Sequence, residues 1–140
     1  MLVCDLDGFK LINDRYGHLD GNKLLRQVAR GLTHACREYD YVARMGGDEF
    51  VLVLPGLSRE AVLSRCEAFR RVAVEAGRQI AGTEVLNMSI GCALFPEDGA
   101  QADQLLARAD QLMYVEKQEN TARLAGARAA WASEGTLLVQ

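Results

Sequence analysis

Apolar residues follow two rhythms along this chain, and each change of rhythm marks a new element. "MLVCDL" is an unbroken apolar run ending among acids, as expected of a strand covered on both faces. From Leu24 the spacing lengthens. Leu24, Leu25, Val28, Ala29, Leu32 and Ala35 repeat at the period of a helix, with Asp20 and Asn22 where a cap and first-turn polar residues belong. "VARMGGDEFVLVLP", Val42 to Pro55, sets two β-prone runs on either side of Gly46 and Gly47, a hairpin signal, and Pro55-Gly56 closes the second strand. A second helix is predicted from about Ser58 to Ala76, with Val62, Cys66, Phe69 and Ala73 on one face. "EVLNMSIGCALFP" then alternates. Leu86, Met88, Ile90, Cys92 and Leu94 point one way and Asn87, Ser89, Gly91 and Ala93 the other, which predicts a strand with one face in the core. A third helix starts near Asp103, with Leu105, Ala109, Leu112 and Met113 inward. The stretch "DGFKLINDRYGH" reads as a loop, and Thr121 to Gln140 as a partly helical linker or frayed end. Strands separated by helices, with one hairpin, predict an α+β fold: an α/β sandwich with helices on a mostly antiparallel sheet.

Composition narrows the partners. A chain of 140 residues is a prior for one domain, and 49% apolar with 25% charged residues supports a packed core. The net charge of −3 leaves no broad electrostatic footprint for a nucleic acid polymer and no polybasic membrane signal. A negatively charged substrate therefore needs a metal ion to supply local positive charge. Cys4, Cys36, Cys66 and Cys92 are far apart and lack metal-ligand spacing. Cys4, Cys66 and Cys92 lie in or beside apolar runs, so buried free thiols in a reducing cytoplasm are expected. No apolar run approaches the roughly 20 residues of a membrane span, and no signal-peptide pattern opens the chain.

Chemistry concentrates in two acidic clusters. Asp5 and Asp7 close the first apolar run, and Asp48 and Glu49 sit at the hairpin tip. Residues at i and i+2 of a strand share a face, so Asp5 and Asp7 project together if the strand continues that far. A hairpin lying beside that strand brings its tip towards Asp5. Carboxylates gathered in this way repel unless they share a cation, and hard oxygen ligands with room for water and phosphate suit Mg²⁺. Glycine beside each cluster lets a phosphate approach the backbone closely.

"MGGDEF" resembles the signature of the GGDEF family, the diguanylate cyclases. "DLDGFKLINDRYGH" resembles that family's phosphate- and guanine-binding segment, and "SIGCALFPEDG" and "ADQLMYVEK" its later strand and last helix. The likeness runs in order from Met1 to about Lys117. It implies a palm-like domain over residues 1–120, lacking the N-terminal helix and D-x-L-T-G-L-x-N-R turn usual in the family, with 121–140 as tail. It implies a cytoplasmic enzyme condensing two GTP into cyclic di-GMP with Mg²⁺ (or Mn²⁺). Each domain binds one GTP, so a homodimer is needed. The resemblance assigns Asp5 and Asp48 to the metal, with the Leu6 carbonyl as a backbone ligand and Glu49 as ligand or base. Gly8, Phe9, Lys10 and Lys117 fall to the phosphates, Asn13 and Asn22 to guanine. Arg37 and Asp40, in "REYD", resemble the family's R-x-x-D inhibitory site for cyclic di-GMP.

Two positions depart from the pattern. Asn22 stands where the family usually has an Asp that accepts from two guanine N–H groups. Asn offers one acceptor and one donor, and an unmatched polar pairing costs roughly 1–3 kcal/mol. Asn also pairs with adenine. After Lys117, Asn120, Thr121 and Ala122 replace a usual Gly-Arg-Asn, which removes a phosphate-binding cation. Alternatives therefore stay open: a weak or inactive module binding GTP or cyclic di-GMP in a protein with a phosphodiesterase domain, or a mixed-purine cyclase making cyclic GMP-AMP. Elsewhere, His18 is expected to make a structural hydrogen bond, His34 to be solvated, Trp131 to pack, and Met113 and Tyr114 to line core or groove.

Overall fold

In the computed structural model, residues 1–139 are described. The chain runs β1 (Leu2–Asp7), α1 (Phe9–Tyr16), α2 (His18–Ala35), β2 (Tyr41–Gly46), β3 (Glu49–Val53), α3 (Arg59–Ala81), β4 (Asn87–Cys92), α4 (Ala102–Val139). The four strands form one antiparallel sheet in the order β2-β3-β1-β4. The strand that reads as buried on both faces, β1, is indeed interior, paired with β3 on one side and β4 on the other. Helices cover both faces. Leu2, Cys4 and Leu6 meet the main core built by Leu24, Val28 and Leu32 of α2 and Cys66, Phe69 and Ala73 of α3. On the opposite face Val3 packs with Ala93 and with Ala109 and Met113 of α4. Asp5 and Asp7 share that second face, as strand alternation requires.

Four expectations change. "DGFKLINDRYGH" is not a loop, because its centre forms α1. Its polar residues hide the helical period, but Ile12 is fully buried and Phe9 and Leu11 pack against the core. The cap of α2 is Gly17, and Asn22 lies inside the helix on its exposed side. Strand β4 is covered on both faces. The side holding Ser89 and Gly91 is the one on which α4 rests, and Cys92 is only half-buried. Small side chains had imitated a solvent face; here they let a helix backbone come close. Lastly, residues 121–139 continue α4 without a break, pinned by buried Leu124 and Trp131. Tyr114 on this helix is exposed, unlike Met113.

The β4 edge is closed by side chains. Glu116 of α4 accepts from the Ile90 N–H at 3.3 Å and from Arg70 of α3 through two bonds of 2.9 Å. This bidentate pair ties the two helical layers together and blunts an edge strand. Among the described residues no helix is long and apolar enough to cross a membrane.

Candidate active site

The two acidic clusters meet where the β2–β3 hairpin turns beside β1. In the antiparallel register Asp5 lies opposite Glu49, and the Leu6 N–H donates to the Asp48 carbonyl oxygen at 3.2 Å. That bond locks the turn to β1 and sets the Asp48 carboxyl against Asp5. Asp5 Oδ1 is buried without a hydrogen-bond donor, and the Asp48 carboxylate it faces offers another acceptor. Burial, then the charge of Asp5, then a hydrogen bond that a protonated Asp48 gives Asp5, push Asp48 up to about 6. Burial, with the charges of Asp110 and Asp5, raises Glu49 as well.

The charge is partly answered from α4. Lys117 Nζ lies 3.1 Å from Asp5 Oδ2 and 3.4 Å from Asp7 Oδ1. Burial works against its ammonium, but Asp5, Asp7 and Asp48 outweigh burial and raise the Lys117 pKa. Lys117, expected at the terminal phosphates, is here bound to the acids. Asp7 is buried and held through one oxygen: the Ser89 hydroxyl donates to Oδ2, and Asn120 Nδ2 donates to the same oxygen at 3.0 Å, while Oδ1, beside Lys117, has no hydrogen-bond partner. Neither Ser89 nor Asn120 is legible as a site residue from sequence. Ser89 has a faint signal as a small polar residue on the same strand face as Gly91.

A divalent cation fits the Asp5–Asp48 pair. A buried carboxylate with an oxygen lacking a donor, set against a second carboxylate, is a hard-oxygen donor set, and Mg²⁺ is commonly bound by one or two carboxylates plus phosphate oxygens. Among the described residues no three His, Cys, Asp or Glu side chains gather to hold a metal, so Glu49 does not complete a triad with the pair.

Next to the pair, Gly8 caps α1 in the left-handed conformation, φ 91°, with no side-chain cap. A Cβ there would collide with the Val85 carbonyl oxygen, so glycine is required. The first turn of α1, Phe9 and Lys10 included, presents N–H groups that no helical carbonyl satisfies. Asn13 is half-buried and its Nδ2 lies 3.0 Å from His18 Nδ1, the local bond expected of that histidine. Asn22 is exposed on α2 and lines an open groove of about 440 Å³ with Arg26 and Arg44. His34 is exposed.

Arg37 and Asp40 form one compact unit after α2. Arg37 Nη2 lies 2.7 Å from Asp40 Oδ1 and 2.8 Å from the Pro55 carbonyl oxygen, and the guanidinium stacks over Tyr39 at 4.5 Å. Arg65 of α3 also reaches Asp40, at 3.3 Å. Hydrogen bonds from Arg37 hold the Asp40 carboxyl below its ordinary range. Arg65 is a partner the sequence did not reveal.

The family description "Diguanylate cyclase, GGDEF domain" matches residues 1–123. The chain belongs to the GGDEF family. It is 41% identical over 121 residues to the bifunctional diguanylate cyclase/cyclic di-GMP phosphodiesterase MucR of Pseudomonas aeruginosa, covering 85% of this chain and 17% of that protein. The chain thus spans about a sixth of that relative's length. The crystal structure of the GGDEF domain of YfiN (TpbB) from Pseudomonas aeruginosa superposes with a TM-score of 0.74 at 34% identity, over 84% of this chain and 74% of that one. The GGDEF domain of DgcB from Caulobacter crescentus, solved in complex with cyclic di-GMP, gives a TM-score of 0.72 at 26% identity, over 84% and 71% of the two chains. The α+β fold with its four-stranded antiparallel sheet is the fold of these GGDEF domains.

Proposed function

We propose that this chain is a diguanylate cyclase domain, joining two GTP molecules into cyclic di-GMP with release of two pyrophosphates. The observation that carries this reading is the Asp5–Asp48 pair, two carboxylates held face to face with an oxygen left without a donor. Mg²⁺ (or Mn²⁺) held by Asp5 and Asp48, with the Leu6 carbonyl, would neutralise charge on the attacked phosphate and acidify the attacking 3′-hydroxyl. The chain's own residues supply position. The amides around Gly8 and Phe9, at the positive end of α1, receive phosphate oxygens, with Lys10 in the groove beside Gly8 and Lys117 beside Asp5 as the cations. Asn13 and Asn22 meet the base. Glu49, its pKa raised, serves as base or outer ligand beside the pair. One domain holds one GTP, so two copies face each other for the bond to form. GTP as substrate implies the cytoplasm, and the free thiols Cys4, Cys36, Cys66 and Cys92 accord with it.

The test is product analysis. With Mg²⁺ and GTP, ATP or both, mass spectrometry is expected to find cyclic di-GMP; binding without any product would favour a regulatory module instead. Two features favour that second reading: Asn22, where the resemblance expects a base-reading Asp, and Lys117 drawn onto Asp5 and Asp7. A mixed cyclic GMP-AMP product would trace to Asn22. Asn22→Asp is expected to tighten GTP binding about ten- to hundredfold and to sharpen selection against ATP; an unchanged GTP-to-ATP ratio would overturn the role of Asn22.

Product inhibition is assigned to Arg37 and Asp40. Calorimetry with cyclic di-GMP is expected to show at least about a tenfold loss of affinity in Arg37→Ala, since a planar guanidinium makes paired bonds to a guanine edge or phosphate. Undiminished heat would remove this site.

A further inference from the structure

The C-terminal half of α4 brings a second cation to the proposed phosphate site. Lys117, Asn120, Leu124, Arg128 and Trp131 follow one another in steps of three, four, four and three, so they lie on one face of the helix. Leu124 and Trp131 bury themselves and Asn120 bonds Asp7, which sets the helix down along α1. Arg15 Nη1 donates to the Trp131 carbonyl oxygen at 3.0 Å, and its guanidinium stacks over the indole at 4.1 Å. Between these anchors Arg128 Nε donates to the Val85 carbonyl oxygen at 3.1 Å.

One arm of that guanidinium is unsatisfied. Arg128 Nη2 is buried with no hydrogen-bond partner, and Arg128 makes no ion pair among the described residues. Asp7, whose charge Arg128 feels, is bonded by Ser89 and Asn120 through Oδ2, while its Oδ1 lies 3.4 Å from Lys117 and has no hydrogen-bond partner. Burial accordingly pulls the Arg128 pKa below its usual value, with Asp7 opposing. A buried guanidinium nitrogen without an acceptor is costly. What it faces is the bare backbone of Gly8: a Cβ built there would stand 3.1 Å from Nε and 3.2 Å from Nη2. Gly8 opens α1, whose first-turn N–H groups point the same polarity outwards. A shallow groove of about 460 Å³ adjoins them, lined by Gly8, Lys10, Asp14 and Arg128 among others. A guanidinium with an unpartnered Nη2, a lysine and a helix N-terminus together make an acceptor-seeking site of phosphate chemistry.

We propose that Arg128 binds the terminal phosphates of the nucleotide held at Gly8, and so supplies the cation missing at Thr121. This rests on the cyclase reading for the nucleotide itself. From α4 the groove is lined by the small Ala129 and Ala132 and by Arg128, which brings a cation with an unpartnered Nη2 to it.

The experiment uses the full chain and a GTP analogue in which methylene replaces the oxygen between the α- and β-phosphates, so pyrophosphate cannot leave. GMP, without terminal phosphates, is the control ligand. Calorimetry with Mg²⁺ is expected to show Arg128→Gln weakening the analogue about tenfold or more while GMP affinity stays within about twofold. Arg128→Lys, which keeps charge and packing stem but loses the fork, is expected to fall between and guards against misfolding of the Gln variant. In the parent protein, fluorescence of Trp131, the single tryptophan, is expected to change with the analogue and not with GMP. Equal affinity for the analogue in parent and Arg128→Gln would overturn the proposal while leaving the cyclase reading intact. Tighter binding in the variant would also overturn it and make the helix a blocking strap. If the parent binds neither ligand, the cyclase reading fails first and this inference falls with it.

Discussion

Asp48→Asn is expected to abolish cyclic di-GMP formation and at the same time to stabilise the metal-free protein. Asp48 ionises against Asp5 in a half-buried turn, with its pKa pushed up to about 6. A carboxyl whose pKa is raised by folding binds its proton more tightly in the folded chain. Its penalty is therefore absent at pH 4, grows as pH rises towards 6, and is complete above it. Two pKa units in a fully buried group would be worth about 3 kcal/mol. Solvent screening of this half-exposed one reduces that to about 1 kcal/mol, a shift of a few degrees in melting temperature. Asn removes the charge and retains the shape, so its gain should appear at pH 7.5 and vanish at pH 4. Turnover should fall on the order of 10³-fold, because charge on the reacting phosphate is no longer offset. Thermal melts at the two pH values and a product assay check both halves. A lower midpoint than the parent's at pH 7.5, or turnover above about one hundredth of the parent's, would contradict the assignment.

Gly91→Ala is expected to be the most damaging single methyl in the chain. Gly91 pairs with Val3 in the register of β1 and β4, on the face where α4 rests. A Cβ at this position would collide with the Ala109 carbonyl oxygen and the Met113 nitrogen, both helix backbone. Backbone cannot rotate aside as a side chain does, so α4 as a whole must lift from the sheet. Overpacking of this kind costs about 3 kcal/mol or more, about 10 °C for a chain of this size. The same displacement carries Lys117 away from Asp5 and Asn120 away from Asp7, so nucleotide binding should weaken in whatever fraction stays folded. Circular dichroism melts read the first effect and calorimetry with the GTP analogue the second. A midpoint within about two degrees of the parent's would show that α4 yields freely here.

Stability and chemistry meet in these two substitutions at the same joint, the seam between α4 and the β1–β4 pair. The seam explains why Asp7, although grouped in sequence with Asp5, has a different part. Its carboxylate is spent on Ser89, Asn120 and Lys117, and it binds the helix to the sheet. Asp5, two residues earlier on the same face, is the acid that meets Asp48; each of the two acids has one oxygen without a hydrogen-bond donor, but only Asp5 sets its carboxylate against the hairpin turn.

Much of this was legible in the sequence. An unbroken apolar run located β1, helical periodicity located α2 and α3, and Gly46-Gly47 between two β-prone runs located the β2–β3 hairpin. The pairing of Asp5 with the hairpin tip followed from two local facts, alternation along a strand and glycine at a turn. What the sequence did not reveal depends on contacts between segments distant along the chain. Helix α1 exists because Ile12 and Phe9 find the core, which no local pattern announces. Residues 121–139 are helical and seated because Trp131 meets Arg15 and Leu124 is buried, although their composition reads as a linker. Strand β4 showed an apparent solvent face of Asn, Ser, Gly and Ala, which only the approach of α4 explains. The sequence by itself determined the strands, their order of chemistry and the two carboxylates. Tertiary structure decided which acid meets Asp48, which becomes a tether, and that Arg128 reaches Gly8, since those outcomes depend on who lies across the gap rather than on who comes next.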